Sequence, residues 1–190
     1  AQEGKFRYIF LTGDLADQAN YTMVETRIRE LLLDSQILET GGSIFWACGN
    51  HDLPRTSKHR RREIADIRNK EEADIIFEQE FADEDNRQVI LGAFKEYYTY
   101  REWLFGMKRE DYPHQVVHTD DVEIVLLNTC LTSCDNEDEH KLYLIEPDLI
   151  HLFREIEPGK PVFVLGHHSV SFLADEDKSR LLNLFRDRNV

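Results

Sequence analysis

Gly49-Asn50-His51-Asp52 follows the apolar run Ile44-Phe45-Trp46-Ala47-Cys48, and the reading of this join decides the fold. An apolar run that breaks into glycine and then three polar residues reads as a buried strand opening into a loop at its carboxyl end. At residue frequencies of roughly 2–7% each, Gly-Asn-His-Asp arises by chance in a chain this long on the order of once in a thousand. A plain turn after the strand is the bland alternative, and that rarity weighs against it. Two other joins have the same form. Phe6-Arg7-Tyr8-Ile9-Phe10-Leu11-Thr12 runs into Gly13-Asp14-Leu15-Ala16-Asp17, and Pro161-Val162-Phe163-Val164-Leu165 runs into Gly166-His167-His168. Alone, Gly13-Asp14 reads first as a turn before a helix cap, and His167-His168 first as a packed or surface pair. All three in order, each at the end of an expected strand, leave little room for coincidence.

Working outward, Asn20 is expected to cap a helix through about Leu33, with Met23, Val24, Ile28, Leu31 and Leu32 on one face. Gly41-Gly42 is expected to end that segment. Strand, helix and strand with short connections make a right-handed βαβ unit with parallel strands. From about 54 to 113 the pattern changes to a helical insertion within one domain spanning 1–190. A basic cluster (Arg55, Lys58, His59, Arg60, Arg61, Arg62) opens it, an acidic stretch follows, and an aromatic stretch from Phe94 to Phe105 closes it. Arg55 is the candidate substrate contact, for the non-reacting phosphates of a nucleotide or a nucleic-acid backbone. The alternatives are a solvated basic helix face paired with the acidic stretch, and aromatic residues that simply pack a core. A hairpin is expected from Gln115–His118 and 122–128 around Thr119-Asp120-Asp121. A helix over about 147–156, the 161–165 strand and a last helix capped near Asp175 complete the chain.

The chain has 190 residues, 41% of them apolar, and a formal charge of −14. Its length suits one domain with its own core. The charge argues against general affinity for nucleic acid or anionic membranes, and no apolar run approaches the roughly 20 residues of a membrane span. Three cysteines, Cys48, Cys130 and Cys134, make no zinc signature and suit a reducing cytoplasm. We therefore expect a cytoplasmic protein without membrane contact.

Three strand ends would deliver carboxylate oxygen, amide oxygen and imidazole nitrogen to one edge, where open α/β sheets place their sites. Such a mixed donor set suits Mn²⁺, Fe or Zn²⁺ better than Ca²⁺. The three motifs in this order resemble the calcineurin-like metallophosphoesterase superfamily, with Gly-Asn-His-Asp the most specific element. The resemblance implies a four-layer α/β/β/α sandwich with mixed sheets and an α/β fold class. It implies two divalent metal ions and a phosphate-ester substrate, a nucleotide-type phosphodiester being favoured over DNA or RNA. Asp14 looks like the carboxylate shared by both metals, with Asn50 and His167 as ligands of the second and His168 as the alternative ligand. His51 matches the acid that protonates the leaving oxygen, and Asp17 the carboxylate that orients it.

Three departures qualify the likeness. The superfamily opens with Asp-x-His at the end of an earlier strand and closes with Gly-His-x-His; no Asp-x-His precedes Gly13, and no Gly-His-x-His follows the last helix in these 190 residues. We expect a segment of a longer protein, active only with those flanking motifs; a non-catalytic binding scaffold is the competing expectation. Gln18 stands where the superfamily's Ser/Thr protein phosphatases carry arginine, which lowers that subclass. No proline follows His168, a minor difference.

Overall fold

The structure is a computed structural model that describes residues 4–17, 19–33, 37–54, 58–107, 113–135 and 137–188, with Leu32, Leu33, His59 and Arg188 described by backbone only. It is a mixed α/β fold with seven α-helices and two small sheets among the described residues.

β1 (Phe6–Leu11) and β2 (Leu38–Trp46) pair in parallel, Ile9 opposite Ile44 and Leu11 opposite Trp46. Parallel neighbours need a crossover, and α1 (Thr22–Ile28) lies in it, running on into a π-helical turn, Arg29–Leu33. Asn20 does not cap this helix. Tyr21 holds the N-cap position without a side-chain bond, and the Asn20 N–H goes to the Asp17 carbonyl at 3.0 Å. The expected face is also narrower. Val24 and Ile28 are buried, while Met23 is 69% and Leu31 63% exposed. Met23 sits one position off the stripe, and the π turn breaks the 3.6-residue period that would have carried it to Leu31.

Gly41 and Gly42 lie inside β2 rather than ending a helical segment. Between the pairs Phe6↔Leu38 and Tyr8↔Ser43 the register shifts, a bulge that Gly41 accommodates at φ +82°. β1 is not the buried strand its composition suggests. Phe6 is 57% exposed, because β1 pairs only with β2 among the described strands and one of its edges is open.

The second sheet has the order β3-β4-β5. β3 (Gln115–His118) and β4 (Glu123–Leu126) are antiparallel, and β4 and β5 (Val162–Leu165) are parallel. Thr119 closes the hairpin: its hydroxyl accepts the Val122 N–H at 3.0 Å and donates to the Val122 carbonyl at 2.6 Å. α6 (Glu146–Glu155) crosses from β4 to β5, and α7 (Asp175–Arg188) follows a short 3₁₀ turn. Strand alternation sorts the cores. Trp46 and Cys48 belong to a cluster with helical residues, whereas Phe45 and Ala47 meet Ile124, Leu126 and Leu165 of the other sheet. Val125 and Leu127, pointing the opposite way, meet Leu149, Leu152 and Phe153 of α6. β5 is less buried than expected, Phe163 standing out against Phe10 with ring centroids 5.6 Å apart.

Residues 58–105 carry α2 (Lys58–Arg68), α3 (Ala73–Ala82), α4 (Glu84–Gly92) and α5 (Lys95–Phe105). The aromatic stretch is core. Tyr97 donates to the Trp46 carbonyl at 2.5 Å, and its ring meets the indole edge-on at 5.0 Å. Such pairs contribute roughly 0.5–1.5 kcal/mol beyond the area they bury. The basic cluster does not mainly serve the acidic stretch. Arg60 is buried and donates to the carbonyls of Ser133 (3.0 Å) and Leu131 (2.8 Å). Arg61 Nε bonds the Cys134 carbonyl at 2.6 Å, and Arg68 pairs with Asp138 at 2.5 Å. The 130–138 loop, whose carbonyls need donors when buried, takes these arginines. No described helix is long and apolar enough to cross a membrane.

Candidate functional site

The loops after β1, β2 and β5 touch one another, and two glycines let them. A Cβ on Gly49 would overlap the Asp14 backbone N and side-chain Oδ1. A Cβ on Gly13 would lie 2.6 Å from Gly49 Cα and 2.7 Å from His167 Nδ1. Gly13 also sits at φ +96°, where glycine alone is unstrained, and Asp14 follows at φ +55°, a conformation that aspartate tolerates better than most residues.

Asp52 stitches two of these loops. Its fully buried carboxylate accepts backbone N–H groups from Gly49 (2.8 Å), Ala16 (2.8 Å) and Asp14 (3.1 Å). Burial pushes the carboxyl above its usual range while those three donors pull it down, and the net direction is up. The Tyr21 hydroxyl, itself pushed up by burial, donates to the Asp52 carbonyl at 2.6 Å.

Asp14 is thereby aimed at two of the other motifs. Its Oδ1 accepts the His51 N–H at 2.9 Å, and its Oδ2 lies 3.4 Å from His167 Nε2. His167 Nδ1 is 2.8 Å from the Thr12 carbonyl. A carbonyl only accepts, so the proton sits on Nδ1, and in the neutral ring the Nε2 lone pair faces the Asp14 carboxylate. His51 Nδ1 lies 3.2 Å from Asp17 Oδ1, which likewise places a proton on Nδ1. His168 turns elsewhere: its Nδ1 is 3.1 Å from the Thr129 hydroxyl and 3.8 Å from Cys130 Sγ. Burial works to lower the His168 ring, but the contact with Cys130 prevails and it is held above its ordinary value. Asn50 stands between Gly49 and His51, half-buried, on the wall of a recess of about 500 Å³. Arg55 and Gln18 lie outside the described residues.

The donors present fit a divalent cation. Two ligands held about 2.1 Å from one ion stand about 3–3.4 Å apart, and the Asp14–His167 spacing of 3.4 Å lies at that limit. The Thr12 carbonyl behind His167 is the kind of outer partner that fixes a ligand imidazole. Another set of ligand-type side chains is closer together: Cys134, Asp135 and Asp138 have donor atoms within 4.8 Å of one another. There the charge is already met, Arg68 reaching Asp138 at 2.5 Å and Asp135 at 3.3 Å, and Ser133 donating to Asp138 at 2.6 Å. We read that cluster as a structural ion pair tying Arg68 of α2 to Asp135 and Asp138.

The motifs drew attention to Asp52 without giving it a role; its signal was a carboxylate two positions after a loop residue, free to turn back on backbone donors. Thr129 was missed altogether. It accepts the His168 N–H at 3.0 Å, and its signal is of the same kind as the others, a polar pair, Asn128-Thr129, at the end of the β4 run. No family model, curated protein or solved structure matches this chain.

Proposed function

We propose that this chain is a metal-dependent phosphoesterase of the calcineurin-like metallophosphoesterase type, acting on phosphate mono- or diesters. One observation carries the reading: His167 Nε2 lies 3.4 Å from the Asp14 carboxylate, with the His51–Asp17 pair attached to the same Asp14 through the His51 N–H. The sorting of β2 and β4 side chains into a helix-facing and a sheet-facing core favours the four-layer α/β/β/α arrangement.

Asp14, His167 and Asn50 would hold the metal, which when bound supplies Lewis-acid polarisation of a phosphoryl oxygen and an acidified water. Asp14 also orders the His51 backbone. Asp17 accepts from His51 Nδ1, so the imidazolium offers its remaining proton from Nε2 to the departing ester oxygen. Asp52 acts on none of the reacting atoms and keeps Asp14 in place. A nuclease of the same type is the alternative activity. A binding scaffold is the second reading, and it draws on the fact that no three His, Cys, Asp or Glu side chains converge at Asp14 among the described residues.

The test is hydrolysis of bis(p-nitrophenyl) phosphate with added Mn²⁺, by the chain alone and by a longer protein carrying it. The reading expects metal-dependent turnover that His51→Ala abolishes. Turnover indifferent to Mn²⁺ and to His51→Ala contradicts it.

A further inference from the structure

The recess of about 500 Å³ at Asn50 is otherwise lined by Leu53 and Pro54, by residues of α2, and by Ser133, Cys134, Asp135 and Glu137, so most of its lining comes from outside the three strand-end motifs. Leu53 and Pro54 form an apolar side. The charged lining among the described residues is Arg60, Arg61 and two carboxylates, Asp135 and Glu137. Arg60 is spent on holding the loop, its guanidinium bonded to the carbonyls of Leu131 and Ser133. Among the described residues Arg61 is anchored through Nε, to the Cys134 carbonyl at 2.6 Å, and the residue is exposed. Asp135 shares Arg68 at 3.3 Å, and Glu137 lies 3.8 Å from Lys141 with its side chain 84% exposed.

This mixture discriminates between ester classes. A second phosphate, as in a polyphosphate or a nucleic-acid backbone, could use Arg61 but would face Asp135 and Glu137, a like-charge contact. A hydroxyl both donates and accepts, so vicinal hydroxyls satisfy a guanidinium and a carboxylate together, while the C–H face of a sugar packs on Leu53 and Pro54. Resting on the phosphoester reading of Asp14 and His167, we propose that this recess binds the alcohol half of the substrate and selects a sugar or other polyol, with Arg61 and Glu137 as the specificity-determining residues.

The test compares the affinity of the Mn²⁺-loaded chain for ribose 5-phosphate, methyl phosphate and pyrophosphate by isothermal titration calorimetry. Ribose 5-phosphate is expected to bind at least about tenfold more tightly than methyl phosphate, in keeping with charge-assisted hydrogen bonds. Arg61→Ala and Glu137→Gln should each shrink that margin below about threefold and leave methyl phosphate unchanged. Glu137→Gln alters an exposed side chain and guards against a folding defect in the arginine variant. Equal affinity for the two esters, binding of neither, tighter binding of pyrophosphate, or equal weakening of both esters in the variants overturns the assignment. A ribose margin kept by a protein that hydrolyses no bis(p-nitrophenyl) phosphate sinks the phosphoesterase reading and leaves the recess assignment standing.

Discussion

Asp52 Oδ2 accepts the backbone N–H of Asp14 at 3.1 Å across 38 positions of sequence, so the last residue of one strand-end motif holds the central residue of another. The same carboxylate holds Gly49 and Ala16, each at 2.8 Å. The site is therefore assembled through a buried group that would touch neither metal nor substrate.

Asp52→Ala should be among the most damaging substitutions in the chain. It leaves three backbone N–H groups without an acceptor, two of them in buried bonds, and buried orphans cost about 1–3 kcal/mol each, so a loss of about 3–5 kcal/mol is expected. Asp52→Asn keeps one acceptor oxygen and should lose less. Urea denaturation of the three proteins checks both, and equal midpoints would contradict the stitching role.

His51 and Asp17 should behave oppositely, costing activity without stability. Asp17 is exposed and His51 half-exposed, and substitutions there are expected to move unfolding by no more than about 0.5 kcal/mol. His51→Ala should lower kcat by about 10²–10⁴-fold, the usual worth of a positioned general acid. Asp17→Asn should lower it less, since the ring stays and only its orientation is released. A pH–rate profile with the alkaline limb intact in His51→Ala would remove His51 from that role.

The positions of these residues were legible in the sequence because each motif follows an apolar run that ends abruptly, and a strand end is a place the pattern fixes well. The side-chain geometry was less so. That His167 and not His168 faces Asp14 depends on Thr12 and Thr129 taking one histidine each, partners 155 and 39 positions away. Strand burial misled where a strand has an open edge: Phe6 and Phe163 read as core and stand exposed. The glycine pair at 41–42 read as a stop because a bulge and a helix end ask for the same residue. Arg60 and Arg61 read as a surface face because nothing local reveals that the 130–134 carbonyls, some 70 residues on, need donors.

Acid stability should show two opposing groups. Burial lowers the His114 ring to about 3, its Nδ1 accepting the Asn128 N–H at 3.0 Å. Between pH 6.5 and about 3 the unfolded chain therefore takes up a proton that the folded protein refuses, and stability falls by about 1.4 kcal/mol per unit as pH falls. Asp177 is pushed up to about 6 by burial, so the folded state binds its proton first and stability from this group rises as pH falls from 6 to 3.8. The two offset each other between about pH 4 and 6. Asp177→Asn should steepen the loss below pH 6.5, and His114→Asn should reverse its sign over that window. Thermal melts at half-unit pH steps separate them; identical pH profiles in both variants would rule out this pairing.

Mn²⁺ binding followed by the electron paramagnetic resonance signal of the free ion tests the central claim most directly, because it needs no substrate. The account predicts that the chain takes up Mn²⁺, that Asp14→Ala, Asn50→Ala and His167→Ala each weaken uptake at least about tenfold, and that His168→Ala leaves it unchanged. Uptake undiminished in Asp14→Ala and His167→Ala, or lost in His168→Ala alone, would contradict it.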